Sequence, residues 1–145
     1  MVRPKSIQRF DIFYLAALAL GLVNTALSWN ATMATLQAEA ATAAIATPVM
    51  LGSLVIGFGI SLLLWFFTSR RRSTIAKWIL VVFFVLGVLS LLFTLMNGQF
   101  PGGIAGVLSI VATVLQAAAI FMLFQPDAVA WFKGVSTAPA ETPFE

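Results

Sequence analysis

The chain has no cysteine and no histidine. Disulfide exchange, thiolate catalysis, zinc sites built on Cys or His, and His-ligated haem are therefore excluded for this chain alone. Charge is scarce as well. Asp, Glu, Lys and Arg make up 9% of 145 residues, where an ordinary soluble domain carries about 25%. With 61% hydrophobic residues, a water-soluble fold could not cover its own surface. The net charge of +3 does not point to nucleic acid, because the basic residues flank apolar runs, where they serve topology.

What is present is a set of four long apolar runs, over 11–29, 48–67, 75–96 and 104–124. Each is about 20 residues, and at 1.5 Å rise per residue such a helix matches a hydrocarbon core of about 30 Å. The expected fold is all-α: a four-helix transmembrane bundle forming one domain over 1–133. All eight basic residues fall on one side of it. Arg3, Lys5 and Arg9 precede the first run; Arg70, Arg71, Arg72 and Lys77 separate the second and third; Lys133 follows the fourth. The two other connections contain no Lys or Arg. The positive-inside rule then places both termini in the cytoplasm. The first run is long enough to span, and no small-residue cleavage site follows it, so it is expected to stay as a span and not to be removed.

Local signals refine the layout. Trp29 is an expected interfacial anchor, and the Ala- and Thr-rich stretch 30–47 favours a short helical extension lying at or above the outer surface. Thr47-Pro48 has the form of an N-cap followed by proline at the first helical position. Gly98, Pro101, Gly102 and Gly103 mark a tight turn. Gln125-Pro126-Asp127 starts a new helix, with a carboxylate near its positive end, and Trp131 and Phe132 make it a short interfacial one. Residues 134–145 are expected to be a flexible tail. Ile7-Gln8-Arg9-Phe10 and Ile75-Ala76-Lys77-Trp78 share a cation-aromatic pattern just before a span. A parallel duplication would produce it, and so would any two inner helix ends.

The opening Arg3-Pro4-Lys5-Ser6-Ile7, the pairs Leu20-Gly21 and Leu86-Gly87, and Lys77-Trp78 at the start of the third span give the chain a family likeness. It resembles small four-helix inner-membrane proteins of bacteria that have no assigned function. The resemblance implies a multi-pass protein of the bacterial plasma membrane and transfers no catalytic or binding residue. Small multidrug transporters share the size, but their mechanism needs a carboxylate deep in the first helix. Here Asp11 lies at the end of the first span beside Arg9, where capping or an interfacial role suits it.

No acid, base, nucleophile or metal ligand sits at depth in any span, so neither enzyme activity nor a cofactor is expected. The intramembrane candidates are uncharged. Asn24, Ser53, Ser90 and Ser109 fall at similar depth and define a polar layer in the outer half. Gln116 and Ser61 lie at a second common depth, and their side chains are expected to bond, with Gly57 or Gly59 giving room for close approach. Small residues recur at four-residue spacing in Ala17, Gly21 and Thr25, in Ser53, Gly57 and Ser61, and in Ala105, Ser109, Thr113 and Ala117. Such faces serve packing within the chain or a seam with another helix. Arg70, Arg71 and Arg72 are candidate contacts for lipid head groups. The expected function is that of an accessory subunit of a membrane assembly, or a homo-oligomer, with the lipid bilayer and a membrane-protein partner or a second copy as its contacts. The alternative is a small transporter or channel for a neutral or lipophilic molecule.

Overall fold

A computed structural model describes residues 3–135. These are helical with no strand among them, and four of the helices are long and apolar enough to cross a membrane. The first helix, α1, runs unbroken from Lys5 to Ala38. Its 34 residues correspond to about 51 Å at 1.5 Å each, well beyond a 30 Å hydrocarbon core. The stretch after Trp29 is thus a continuation of the span, not a separate piece lying on the surface. No Gly or Pro interrupts 30–38, and Met, Leu, Gln and Ala all favour helix. The expected boundary at Trp29 marked the end of hydropathy, not the end of the helix.

A 3₁₀ turn, Ala43–Ile45, leads into α2, Ala46–Ser69. The helix therefore begins before Thr47. Ile45 precedes it without a side-chain cap, so the expected Thr47 cap does not form. Pro48 sits inside the first turn, where a missing N–H costs nothing because that donor has no intrahelical acceptor. The α3 helix spans Thr74–Met96 and starts at Ser73, whose hydroxyl accepts from the Ala76 N–H at 3.2 Å. The α4 helix covers Gly103–Met122, slightly short of the expected end at 124. Gly106 near its start is the one glycine whose missing side chain is required by a close approach. A Cβ there would overlap the Pro101 carbonyl of the preceding turn.

The α5 helix, Pro126–Lys133, follows with proline in its first turn and Asp127 beside it. Gly134 ends it with φ of 71°. That left-handed residue lets the Val135 N–H reach back to the Ala130 carbonyl at 3.0 Å, closing the helix as glycine at this position usually does. Residues 136–145, which contain most of the expected tail, lie outside the described residues, as do 1 and 2.

Successive long helices pack as neighbours, and α4 returns to α1 to close the bundle. The α1–α4 pair makes the most extensive contact, and α5 packs on α1. The buried core gathers at the end that carries the basic residues. Ile7, Phe10 and Tyr14 from α1 meet Leu64, Ala76, Leu80, Ala119 and Leu123 from the other long helices, with Ala128 and Trp131 of α5 laid across them. Toward the far end, packing loosens. The buried residues of α3 stop at Leu80, leaving the rest of that helix with apolar side chains turned outward. Outward apolar side chains are what lipid requires.

Candidate functional site

At the basic end, polar groups tie the chain termini of the bundle together. Pro4, which precedes α1, has no side chain able to cap it, so the Ser6 N–H would be left without an acceptor. Asp127 supplies one from α5. Its carboxylate accepts from the Ser6 hydroxyl at 2.6 Å and from the Ser6 N–H at 3.2 Å. Partial burial pushes the Asp127 carboxyl upward, but the hydrogen bonds from Ser6 and from the first turn of α5 outweigh it and hold the group below its ordinary value. A lowered carboxyl stabilises the folded state above its unfolded value near 3.8, and that stabilisation fades as pH falls through the folded one. Docking of α5 should therefore weaken in acid. Ser6→Ala should move the onset to higher pH and lose up to about 2 kcal/mol at neutral pH, as removal of a charge-assisted bond does. Trp131 fluorescence against pH, in a chain whose Trp29, Trp65 and Trp78 are replaced by Phe, would read this. An unchanged acid transition in the variant would refute the assignment.

Asp11 is fully committed as well. Arg3 pairs with it at 2.8 Å, and the Trp65 indole N–H donates to its other oxygen at 2.9 Å. The carboxylate thus links the start of α1 to α2, and it does not cap the helix.

The three candidate head-group cations have different surroundings. Arg70 lies 6.0 Å from the Trp65 ring centre, and Arg71 is exposed. Arg72 is stacked 4.0 Å over Trp131 and holds a left-handed φ of 53°. That conformation costs a non-glycine residue about 1–2 kcal/mol, and the stack on α5 offsets it. Lys77, which sequence reasoning treated only as a topological charge, is 7% exposed. Its ammonium lies 3.9 Å from the Phe124 ring centre and 5.2 Å from that of Phe132. A signal was available: Lys77 lies three residues before Leu80, on the helix face that enters the core. Thr68, Ser69 and the Trp131 indole are buried nearby in sequence or on α5, with polar atoms that have no hydrogen-bond partner among the described residues.

The intramembrane candidates separate into two cavities and a groove. Tyr14, Ser61, Gly87 and Gln116, one from each long helix, line a cavity of about 270 Å³ with apolar walls from Leu64, Leu80, Phe83, Phe84 and Ile120. Gln116 and Ser61 are thus brought to the same space, as their depth implied. They do not bond among the described residues. The Ser61 hydroxyl donates to its own helix, to the Gly57 carbonyl at 2.8 Å, while the Tyr14 hydroxyl donates to the Ser61 carbonyl at 3.0 Å. Tyr14 was missed in the sequence because it was counted with the apolar residues. Nor do Gly57 and Gly59 allow close approach here, since open space lies beyond both.

Toward the far end, Asn24, Ser90, Thr94, Ser109 and Thr113 line a second, widely open cavity of about 350 Å³, with Phe100 and Pro101 also on its wall. Gly87 borders both cavities. The Asn24 amide donates to the Ser109 hydroxyl at 2.9 Å, the one side-chain bond between α1 and α4 among the described residues. Its carbonyl oxygen is buried and has no donor among the described residues. Three of the four residues expected in the polar layer therefore meet. Ser53 does not join them. It lines a groove of about 360 Å³ between α1 and α2, with Thr25, Met50, Gly57 and Ser61, and bonds the Val49 carbonyl of its own helix. Equal depth did not bring it inside, because its rotation about the α2 axis points it outward.

Among the described residues no cluster of His, Cys, Asp or Glu could hold a metal ion. Comparison with models of known protein families, with curated proteins and with solved structures gives no match.

Proposed function

We propose that this is a non-catalytic multi-pass protein of a bacterial inner membrane, working by helix association as an accessory subunit or a homo-oligomer. One observation carries the reading. Of the small-residue faces, those on α1 and α4 belong to the most extensive contact within the chain. That on α2 is left open toward its start: Ser53 and Gly57 are exposed, and among the described residues a Cβ at Gly57 would meet nothing within 4 Å. In lipid, where apolar surfaces gain nothing from simply meeting, close backbone approach at small residues is what holds two helices together. The groove beside this face, floored by Leu18 and Leu54, has the shape to receive a helix edge. The basic end faces the cytoplasm, because all Lys and Arg residues lie there.

Because the chain has no cysteine, introduced thiols report without background. Ser53→Cys should form a cross-link, either to a second copy or to a co-purifying membrane protein, and Gly57→Leu should abolish it while the protein still inserts. A thiol at Thr42 should label from outside the cell. Cross-linking that survives Gly57→Leu, or a Thr42 thiol reached only from the cytoplasm, would overturn the respective half of the proposal.

A further inference from the structure

We infer that the two adjacent spaces that share Gly87 form a binding site for a small neutral molecule with a hydrogen-bonding head and a hydrocarbon body. This is independent of the association surface on α2. Three features of the lining specify the chemistry. First, no Asp, Glu, Lys or Arg borders either cavity, so an ion would be held there without a counter-charge, which an apolar medium penalises heavily. Second, hydrogen-bonding capacity is left over. Most hydroxyls are spent on their own helices: Thr94 on the Ser90 carbonyl, Ser109 on Ala105, Thr113 on Ser109, and Ser61 on Gly57. The Asn24 carbonyl oxygen is not; it is buried in the far cavity region and lacks a donor among the described residues. The half-buried Gln116 amide borders the other cavity and makes no side-chain bond among the described residues. A carbonyl without a donor and an amide with both functions call for a head that donates and accepts, such as a primary amide or an alcohol. Third, polarity is graded. The far cavity is bordered mainly by Asn, Ser and Thr, while the one nearer the basic end has Leu, Phe and Ile on its walls. A ligand would place its head by Asn24 or Gln116 and its chain against Leu80 and Phe84.

The space is closed below. Phe10, Leu64, Leu80, Leu123 and Trp131 fill the basic end of the bundle, so the described arrangement is a dead-ended pocket rather than a pore.

The test uses the full chain in liposomes, with hexanamide as the neutral probe and hexanoate at neutral pH as its charged counterpart. Ser90→Cys places a thiol on the wall of the far cavity. Met96→Cys, at an 88% exposed position on the same helix, is the reference. Labelling by N-ethylmaleimide is followed at both. Hexanamide at twice its Kd should slow Ser90→Cys labelling about threefold, as 1 + [L]/Kd requires, and leave Met96→Cys unchanged. Hexanoate should give no protection. Adding Gln116→Leu or Asn24→Leu should remove the effect of hexanamide. Gln116→Leu leaves the Asn24–Ser109 bond intact, so it remains informative if Asn24→Leu disturbs the fold. Equal slowing at both thiols would show that hexanamide acts through the bilayer, and would overturn the inference. So would the absence of protection, protection by hexanoate, or protection that survives both substitutions.

Discussion

Phe10→Ala is expected to lower the free energy of unfolding in detergent by about 3 kcal/mol, the low end of the range for truncating a buried Phe. Phe10 is 0% exposed and is the largest of the fully buried side chains. Its ring lies 5.3 Å from that of Tyr14, and it sits where α1, α2, α4 and α5 converge. Lipid removes much of the ordinary hydrophobic gain, since a detergent tail solvates an exposed Phe nearly as well as a protein interior does. The remaining cost comes from lost contacts around a void that the surrounding helices cannot close. The contrast is Leu22→Ala, which removes more than one methyl group from a side chain 47% exposed on the same helix. That change should fall within about 0.5 kcal/mol of zero. Unfolding titrations with a denaturing detergent would compare the two. Equal effects would mean that the packing of the bundle is not concentrated at its basic end.

The sequence disclosed the helices through hydropathy and helix signals, because both depend on neighbouring residues. Pro126 at the start of α5 and the glycine turn after Met96 belong to the same class. It disclosed the site only in part. Depth along an antiparallel helix follows from counting residues, and the residues counted to one depth, Gln116 with Ser61 and Asn24 with Ser109, border shared spaces. Rotation about each axis does not follow from counting when nearly every face is apolar. Ser53 therefore lies at the expected depth but borders an outer groove. The expected bond from Gln116 to Ser61 failed for a different reason. A hydroxyl surrounded by lipid finds the carbonyl four residues back on its own helix, at 2.8 Å for Ser61, before it finds another helix. The largest gap concerned the basic residues. Positive-inside reasoning explains why Lys77 and Arg72 are at that end, and it is silent on where their side chains go. Each lies over aromatic rings contributed by the last part of the chain, Phe124, Trp131 and Phe132, a pairing between residues too distant in sequence for any local pattern to reveal.

Lys77→Glu is accordingly expected to be the most damaging single change at the basic end, costing about 3–5 kcal/mol, as an uncompensated buried charge does. The Lys77 side chain is 7% exposed, and its ammonium lies 3.9 Å from the Phe124 ring centre. An aromatic face is negative at its centre, so it attracts the cation by up to about 2 kcal/mol when water is excluded, and it repels a carboxylate. The stem of Lys77 also fills space beside Ala76 and Leu80, and methionine can replace that packing without the charge. Lys77→Met should therefore cost no more than about 2 kcal/mol, the value of the lost cation–ring attraction. The order wild type, Met, Glu separates charge from volume, and it should be measured on purified protein so that altered membrane insertion does not enter. Trp131 gives a second readout: release of α5 in the Glu variant should shift its emission to the red, because the ring is 7% exposed in the folded chain. If Glu is tolerated as well as Met, the ammonium contributes nothing at its ring faces, and Lys77 is held there by topology alone.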